Sequence, residues 1–574
     1  MGFHQMYDPM GNAFLSTLLA AVPILTLLYF LAIHPHKDKL GRKHRGIAAP
    51  KAAFIAAIVT IFMAVWLVDM PVSSTLAAFG YGSFFGLMPI GWIIVAAMFL
   101  YTITLVTGQF EIVKFSVVSL SSDRRIQTLL IAFSFGAFIE GAAGFGTPVA
   151  IAGALMVGMG FRPMVAAILC LIANTAPVAF GAVGTPIITL ANVTGLPEMA
   201  LSAMAGRQLP FFSILIPFWL IATMVFMHKG KWKQVMEIWP AIVVTGVSFA
   251  IAQFAVSNYV GPMLVDIVAG LVSMFALILL LKVWQPKNKF YLPGEEEEIK
   301  SLENQESKYS RGQVVAAWTP WAFLTIFVFM WGLPQWKAFL NSLNFFGLKS
   351  LYNISVPFLD QLVFRGPPLA KESAPEAAVY ALNWLSAAGT GVFFAAILSG
   401  LFLRLSREQW KLAVVRTAQR MKTPLITIAL VLGLGYTTRY SGMDAILGLA
   451  FTKTGVFYPF FSAMLGWLGV FLTGSDTSSN ALFGNMQRIT ADQLGLDPVL
   501  ISAANSTGGV MGKMIDAQSI VVATAACYEN RNEGANAVGP IFRAVFFHSL
   551  VLAALMGILV MLQAYVFPWM IPGY

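Results

Sequence analysis

The chain has 574 residues, of which 58% are hydrophobic and only 11% charged, less than half the roughly 25% charge of an ordinary soluble domain. That composition excludes a water-soluble fold, and the net charge of +10 reads as basic loops on one side of a membrane rather than as a nucleic-acid surface. The expected fold is an all-α, polytopic integral membrane protein of about 12–14 membrane segments, re-entrant ones included, because lipid forces backbone polar groups into helices or into breaks buried in protein.

No Lys, Arg, Asp or Glu lies between Asp8 and Lys37, which predicts a first span. The residues before it lack the basic start of a secretory signal and no small-residue cleavage pattern follows, so the span is expected to be retained. The loop His34 to Lys51 holds Lys37, Lys39, Arg42, Lys43, Arg45 and Lys51, which predicts a cytoplasmic loop and an N-terminus outside. Lys114, Arg124 and Arg125, the stretch Lys229 to Lys233, and Arg404 to Lys422 fit the same path.

The first anomaly is the stretch 126–190. Residues 141–186 contain eight Gly and four Pro but one charge, Arg162, a density that breaks ordinary helices. Cys170 falls inside it, and with Cys527 it forms neither a disulfide framework nor a metal motif. Residues 284–313, with Glu295 to Glu298 among lysines, predict a charged cytoplasmic linker between an N-terminal membrane half, 1–283, and a C-terminal half, 314–574. The stretch 334–382, with Pro357, Pro367, Pro368 and Pro375, predicts a long excursion outside. A second interrupted stretch follows at 456–525, and the charge-free run Ala544 to Tyr574 closes the chain.

The two interrupted stretches match in order. Phe138 to Gly141 corresponds to Phe471 to Gly474, Phe161-Arg162-Pro163 to Leu496-Asp497-Pro498, and Ala173-Asn174-Thr175 to Ala504-Asn505-Ser506, with an offset that drifts only between 331 and 335. Non-helical backbone at membrane depth is tolerated where it is buried or lines a cavity, and paired interrupted segments point to a transporter's site. The basic loops put the first stretch's entry inside and the second's outside, which predicts inverted repeats. Each is expected to supply a re-entrant hairpin, with tips near Gly141 to Pro148 and Gly474 to Asn480, and a helix broken at Asn174 to Pro177 or Asn505 to Gly509. Half-helix N-termini and hydroxyls suit an organic anion.

The strings FIEGAAGFGTPVAIAGALMVGMGFRP, IANTAPVAFGAVGTPI, GWLGVFLTGSDTSSNALFGNMQ and NSTGGVMGKMI together resemble the L-lactate permease family, through nearly the whole chain. The resemblance implies uptake of L-lactate, and with it D-lactate and glycolate, by proton symport across a bacterial plasma (inner) membrane. It also implies an elevator-like movement of a substrate-bearing domain. After GKMI the chain reads Asp516, Ala517, Gln518, Ser519 in place of the family's Ser-Pro-Gln-Ser run, which adds a carboxylate.

The candidate substrate-binding residues are Asn174, Thr175, Thr185, Ser478, Ser479, Asn480, Asn505, Ser506, Thr507 and Lys513. Glu140 and Asp476 are the candidates for proton coupling. An ionised Glu140 at the first hairpin would cost several kcal/mol unless paired or protonated, so it is a proton carrier, half of a salt bridge or a cap on a broken helix. Asp476 is a second proton site, a cation ligand or a helix cap. Lys513 either attracts the substrate anion or pairs with Asp476 or Asp516. The partners expected are a 2-hydroxymonocarboxylate anion, H+ and membrane lipid, with no nucleic acid, no metal and no cofactor, for a monomer or homodimer. Unwound carbonyls and hydroxyls also suit Na+, which leaves a sodium-coupled carboxylate transporter as the alternative. GAAGFG and the Gly508 to Met514 segment lack the spacing of phosphate loops, and no catalytic constellation stands out, so no enzymatic activity is expected.

Overall fold

Charge-free apolar runs become helices here because a helix satisfies its own backbone where lipid offers no hydrogen bonds. The structure is a computed structural model that describes residues 2–30, 34–37, 43–45, 47, 49–118, 121–144, 146–291, 309–345, 348–368, 373–528 and 530–573. Among these, six helices are long and apolar enough to cross a membrane: Glu198–Met227, Trp239–Tyr259, Pro262–Val283, Arg407–Ser441, Met443–Phe471 and Asn536–Tyr565. A seventh crossing is bent by 67° between Pro163–Ala173 and Val178–Thr194. Full-length spans are fewer than the 12–14 segments expected because many helices are pieces shorter than the roughly 20 residues a crossing takes. Phe211, Phe275 and Phe547 on these helices, and Phe54 and Phe62 on the shorter Ala49–Trp66 helix, are exposed on the protein surface, as lipid-facing groups are.

The fold is helical as expected, with a few short strand pairs: one, Pro35–Lys37 with Lys43–Arg45, lies in the basic loop, and the others gather at the excursion. Tyr352–Ser355 pairs antiparallel with Val379–Leu382, and Phe3–His4 joins Val363–Arg365, which pairs in turn with Ala374–Glu376. These short strands lie in the proline-rich excursion, where the backbone is not obliged to be helical. They also put the N-terminus and the excursion on one side. Basic segments gather elsewhere: fully buried Arg125 pairs with Asp123 at 2.8 Å and Glu237 at 3.2 Å, and donates to the Asn288 carbonyl at 2.7 Å. Residues 38–42, 46 and 48 of the 34–51 loop, and residues 292–308 of the linker, lie outside the described residues.

The first interrupted stretch runs as Gly136–Ala143, Thr147–Gly158, Pro163–Ala173, a break, and Gly181–Thr194. The second runs as Tyr458–Thr473, Asp476–Leu494, Pro498–Gly512, a short turn at Lys513–Ile515, and Ala517–Cys527. Each hairpin is tight: Gly474 takes φ 72°, a left-handed conformation open to glycine. The second break was expected at Asn505 to Gly509, but those residues are helical and the interruption falls at Lys513–Ile515. The stretches exchange contacts. The Thr147–Gly158 helix of the first packs on Ala517–Cys527 of the second, and Asp476–Leu494 of the second packs on Gly181–Thr194 of the first. A second group, Ala49–Trp66, Val72–Phe85, Trp92–Val106, Ala388–Phe402 and Arg407–Ser441, packs largely on itself.

Candidate functional site

Two breaks and two hairpin tips meet inside the protein. At the first break the chain leaves Ala173 and passes through Ala182, Val183 and Gly184 at φ 45°, 57° and 72° before the helix resumes. Left-handed conformations at Ala and at a β-branched Val store about 1–3 kcal/mol each, and every side chain from Val178 to Ile187 is buried, which holds them in place. The first tip folds onto this break, since a methyl group added at Gly144 would lie 2.9 Å from Ala182 Cβ. The second tip is tied to its own break by Lys513, whose ammonium donates to the Gly474 carbonyl at 2.6 Å. The two stretches are pinned together where Asn480 donates to the Pro186 carbonyl at 3.1 Å.

All twelve candidate residues are buried, but they fall into two sets. The first set is locked in hydrogen bonds that close on protein. Asn505 donates to Asn480 at 2.9 Å and accepts from Gln487 at 3.2 Å, and Tyr458 donates to Gln487 at 2.7 Å. Ser479 accepts from Asn505 at 3.4 Å. Thr507 points to Gln208 at 2.6 Å, which donates onward to Gln563 at 3.0 Å. Thr185 donates to the Ala182 carbonyl at 2.5 Å, and Ser506 donates to Asp476. Ser478 donates its backbone N–H to Ser475 at 3.3 Å. The cap of this helix is therefore Ser475, not Asp476, which is the first helical residue.

The second set has polar atoms with no protein partner: both amide atoms of Asn174, the Thr175 hydroxyl, Glu140 Oε2 and Asp476 Oδ1. Buried polar groups are nearly always satisfied, so these atoms mark where a ligand, an ion or a proton is missing from the count. Asn174, Lys513 and Asp516 all stand within electrostatic reach of Glu140. Lys513 itself is ion-paired to Asp516 at 3.2 Å, the partner that the sequence offered beside Asp476. The arrangement brings a buried ammonium, amide and carboxylate within electrostatic reach of one another, a set that can take up a small anion and a proton.

Outside this centre, Arg162 is exposed and Arg439 pairs with Glu376 at 3.0 Å. Asp444 accepts from Asn485. Sequence reasoning missed Asp266, fully buried with both carboxylate oxygens unpartnered. One signal marks it: it is the lone charged residue between Glu237 and Lys282. Among the described residues, no group of three or more His, Cys, Asp or Glu side chains is placed to hold a metal.

Comparison with known proteins identifies the family. A family profile described as L-lactate permease matches residues 16–567. The chain is 46% identical to the L-lactate permease of Bacillus subtilis strain 168, over 100% of both chains. It is 46% identical to the glycolate permease GlcA of Escherichia coli K12, over 99% of each. It is 45% identical to the L-lactate permease of the same strain, over 99% of this chain and 100% of the relative.

Proposed function

The chain belongs to the L-lactate permease family, and on that premise we propose that it takes up L-lactate, and with it D-lactate and glycolate, by proton symport across the bacterial plasma membrane. It is a membrane transporter and not an enzyme. One observation supports the substrate assignment: the Asn174 amide and the Lys513 ammonium, both buried, stand within electrostatic reach of the same carboxylate, Glu140. Lys513 neutralises the substrate carboxylate, and the amide and the Thr175 hydroxyl meet its 2-hydroxyl group. Glu140 carries the accompanying proton, because a second negative charge beside the substrate would oppose binding unless it were neutralised.

Helix exchange between the two interrupted stretches supports their reading as inverted repeats forming one substrate-bearing body. The separate packing of the Ala49–Trp66 to Arg407–Ser441 group supports a scaffold against which that body moves, as an elevator does. Gathering of Arg125 with the Gln234 to Asn288 segments, opposite in kind to the strand-bearing side, supports a cytoplasmic basic face and an N-terminus outside.

Purified protein in liposomes tests the reading. Lactate should accumulate under an inward pH gradient with no Na+ present, and Glu140→Gln should remove that response while lactate exchange at equal pH persists. Uptake driven by a Na+ gradient alone would overturn the proton reading.

A further inference from the structure

Asp266 opens the first turn of the Val265–Val283 helix, which packs directly on Gly136–Ala143, the helix that carries Glu140. The approach is close: a methyl group at Gly141 would lie 2.7 Å from Asp266 Cβ and 2.8 Å from the Ile267 nitrogen. Asp266 is 0% exposed and Glu140 4% exposed, and each stands within electrostatic reach of the other. Neither Asp266 oxygen nor Glu140 Oε2 has a hydrogen-bond partner. The cation nearest in reach, Lys513, is engaged by Asp516 and the Gly474 carbonyl.

Two carboxylates within electrostatic reach of one another in protein interior resist joint ionisation, since burial and the neighbouring charge both disfavour the ionised form. Asn174 adds a polar group to the same place: its side-chain amide is turned toward the Glu140 carboxylate. We propose that Glu140 and Asp266 together form the proton-binding site of this transporter, the pair holding one proton as a unit. The proton enters from the outer side with the substrate and leaves inside after it, so the pair alternates between one shared proton and a second, transported one. Asp516 and Lys513 face Glu140 and set the charge that the pair must balance. This inference rests on the proton-symport reading above and extends it to a residue on a helix outside both interrupted stretches.

The full-length chain in liposomes provides the test. The readout is the ratio of accumulation driven by a pH gradient to lactate counterflow at equal pH. Asp266→Asn should lower that ratio by about fivefold or more, the low end of ordinary coupling between sites, and Asp266→Glu should keep coupling with a shifted pH profile. An unchanged ratio in Asp266→Asn overturns the pair, and so does a loss of both activities in equal measure, which marks a structural role. Should Asp266→Asn not reach the membrane, the Asp266→Glu profile decides: unshifted, it overturns the pair. A wild-type chain indifferent to the pH gradient defeats proton symport itself, and is recognised before any variant is made.

Discussion

Replacing Lys513 by Met separates its two roles. The change leaves Asp516 Oδ2 without its partner at 3.2 Å and the Gly474 carbonyl without its donor at 2.6 Å. Both acceptors are buried, and breaking a buried pair costs about 3–5 kcal/mol, enough to lower the unfolding midpoint measurably in detergent. Adding Asp516→Asn removes the stranded charge, and Asn still caps the Ala517–Cys527 helix through the Ser519 N–H. Stability of the double variant should return to within about 1–2 kcal/mol of the wild type, because neutral replacement of a buried pair is often nearly free. Lactate affinity should not return. A charge-assisted hydrogen bond to a carboxylate contributes about 1.5–3 kcal/mol, so binding in the double variant should be roughly 10- to 100-fold weaker. Equilibrium binding of labelled lactate alongside thermal unfolding reads both quantities. Wild-type affinity in the double variant would refute the assignment of Lys513 as the substrate's countercharge and leave it a structural ion.

Thr507→Val should cost about 1–3 kcal/mol by leaving the Gln208 oxygen unpaired, with lactate affinity unchanged, as binding and unfolding assays on the same preparation would show. Gly141→Ala forces a methyl group against Asp266 and Ile267, an overpacking of about 1–3 kcal/mol; coupled transport should fall while the protein still reaches the membrane, and full activity would contradict the close approach. In the strand-bearing excursion, the Ala378 N–H, with Ser355 and Gln361 beside it, holds the Asp360 carboxyl below the usual carboxylate range. That contribution is complete above the ordinary value of about 3.9 and is lost as pH falls through the lower folded value, so amide exchange of 352–382 should rise only under acid below about pH 4, and a rise at neutral pH would count against it.

Gly and Pro density revealed the first break because Pro177 and Pro186 have no helical role at membrane depth. The same reasoning misplaced the second. Gly508 and Gly509 look like a break but serve close packing: Gly508 lies against the Ala463 backbone, and Gly512 against Trp467, as small residues do where membrane helices touch. The real interruption at Lys513–Ile515 carries no Gly or Pro, and only Asp516 as the next cap betrays it. Among the candidate residues, types were legible but facing was not. Asn174 and Asn505 occupy matching positions, yet one amide is unpartnered and the other is consumed by Asn480 and Gln487, a difference fixed by long-range packing. Asp266 has no counterpart in the second stretch, so a search for repeats passes over it, although a lone carboxylate in an apolar run is itself a functional signal. One strand of the excursion pairs with the N-terminus, Phe3 with Val363, hundreds of positions away and beyond the reach of local pattern.

The exchange of helices between the two stretches bears on how such a chain can be built at all. Each half lends a hairpin helix to the other's closing helix, so a polypeptide cut between Tyr291 and Tyr309 yields two fragments of which neither holds the whole candidate site: one has Glu140 and Asn174, the other Lys513. During synthesis the first half must wait in the bilayer with its broken helix uncovered until the second emerges. Assembly of the site is thus a late event, and the second half acts toward the first as a partner subunit that happens to share its chain.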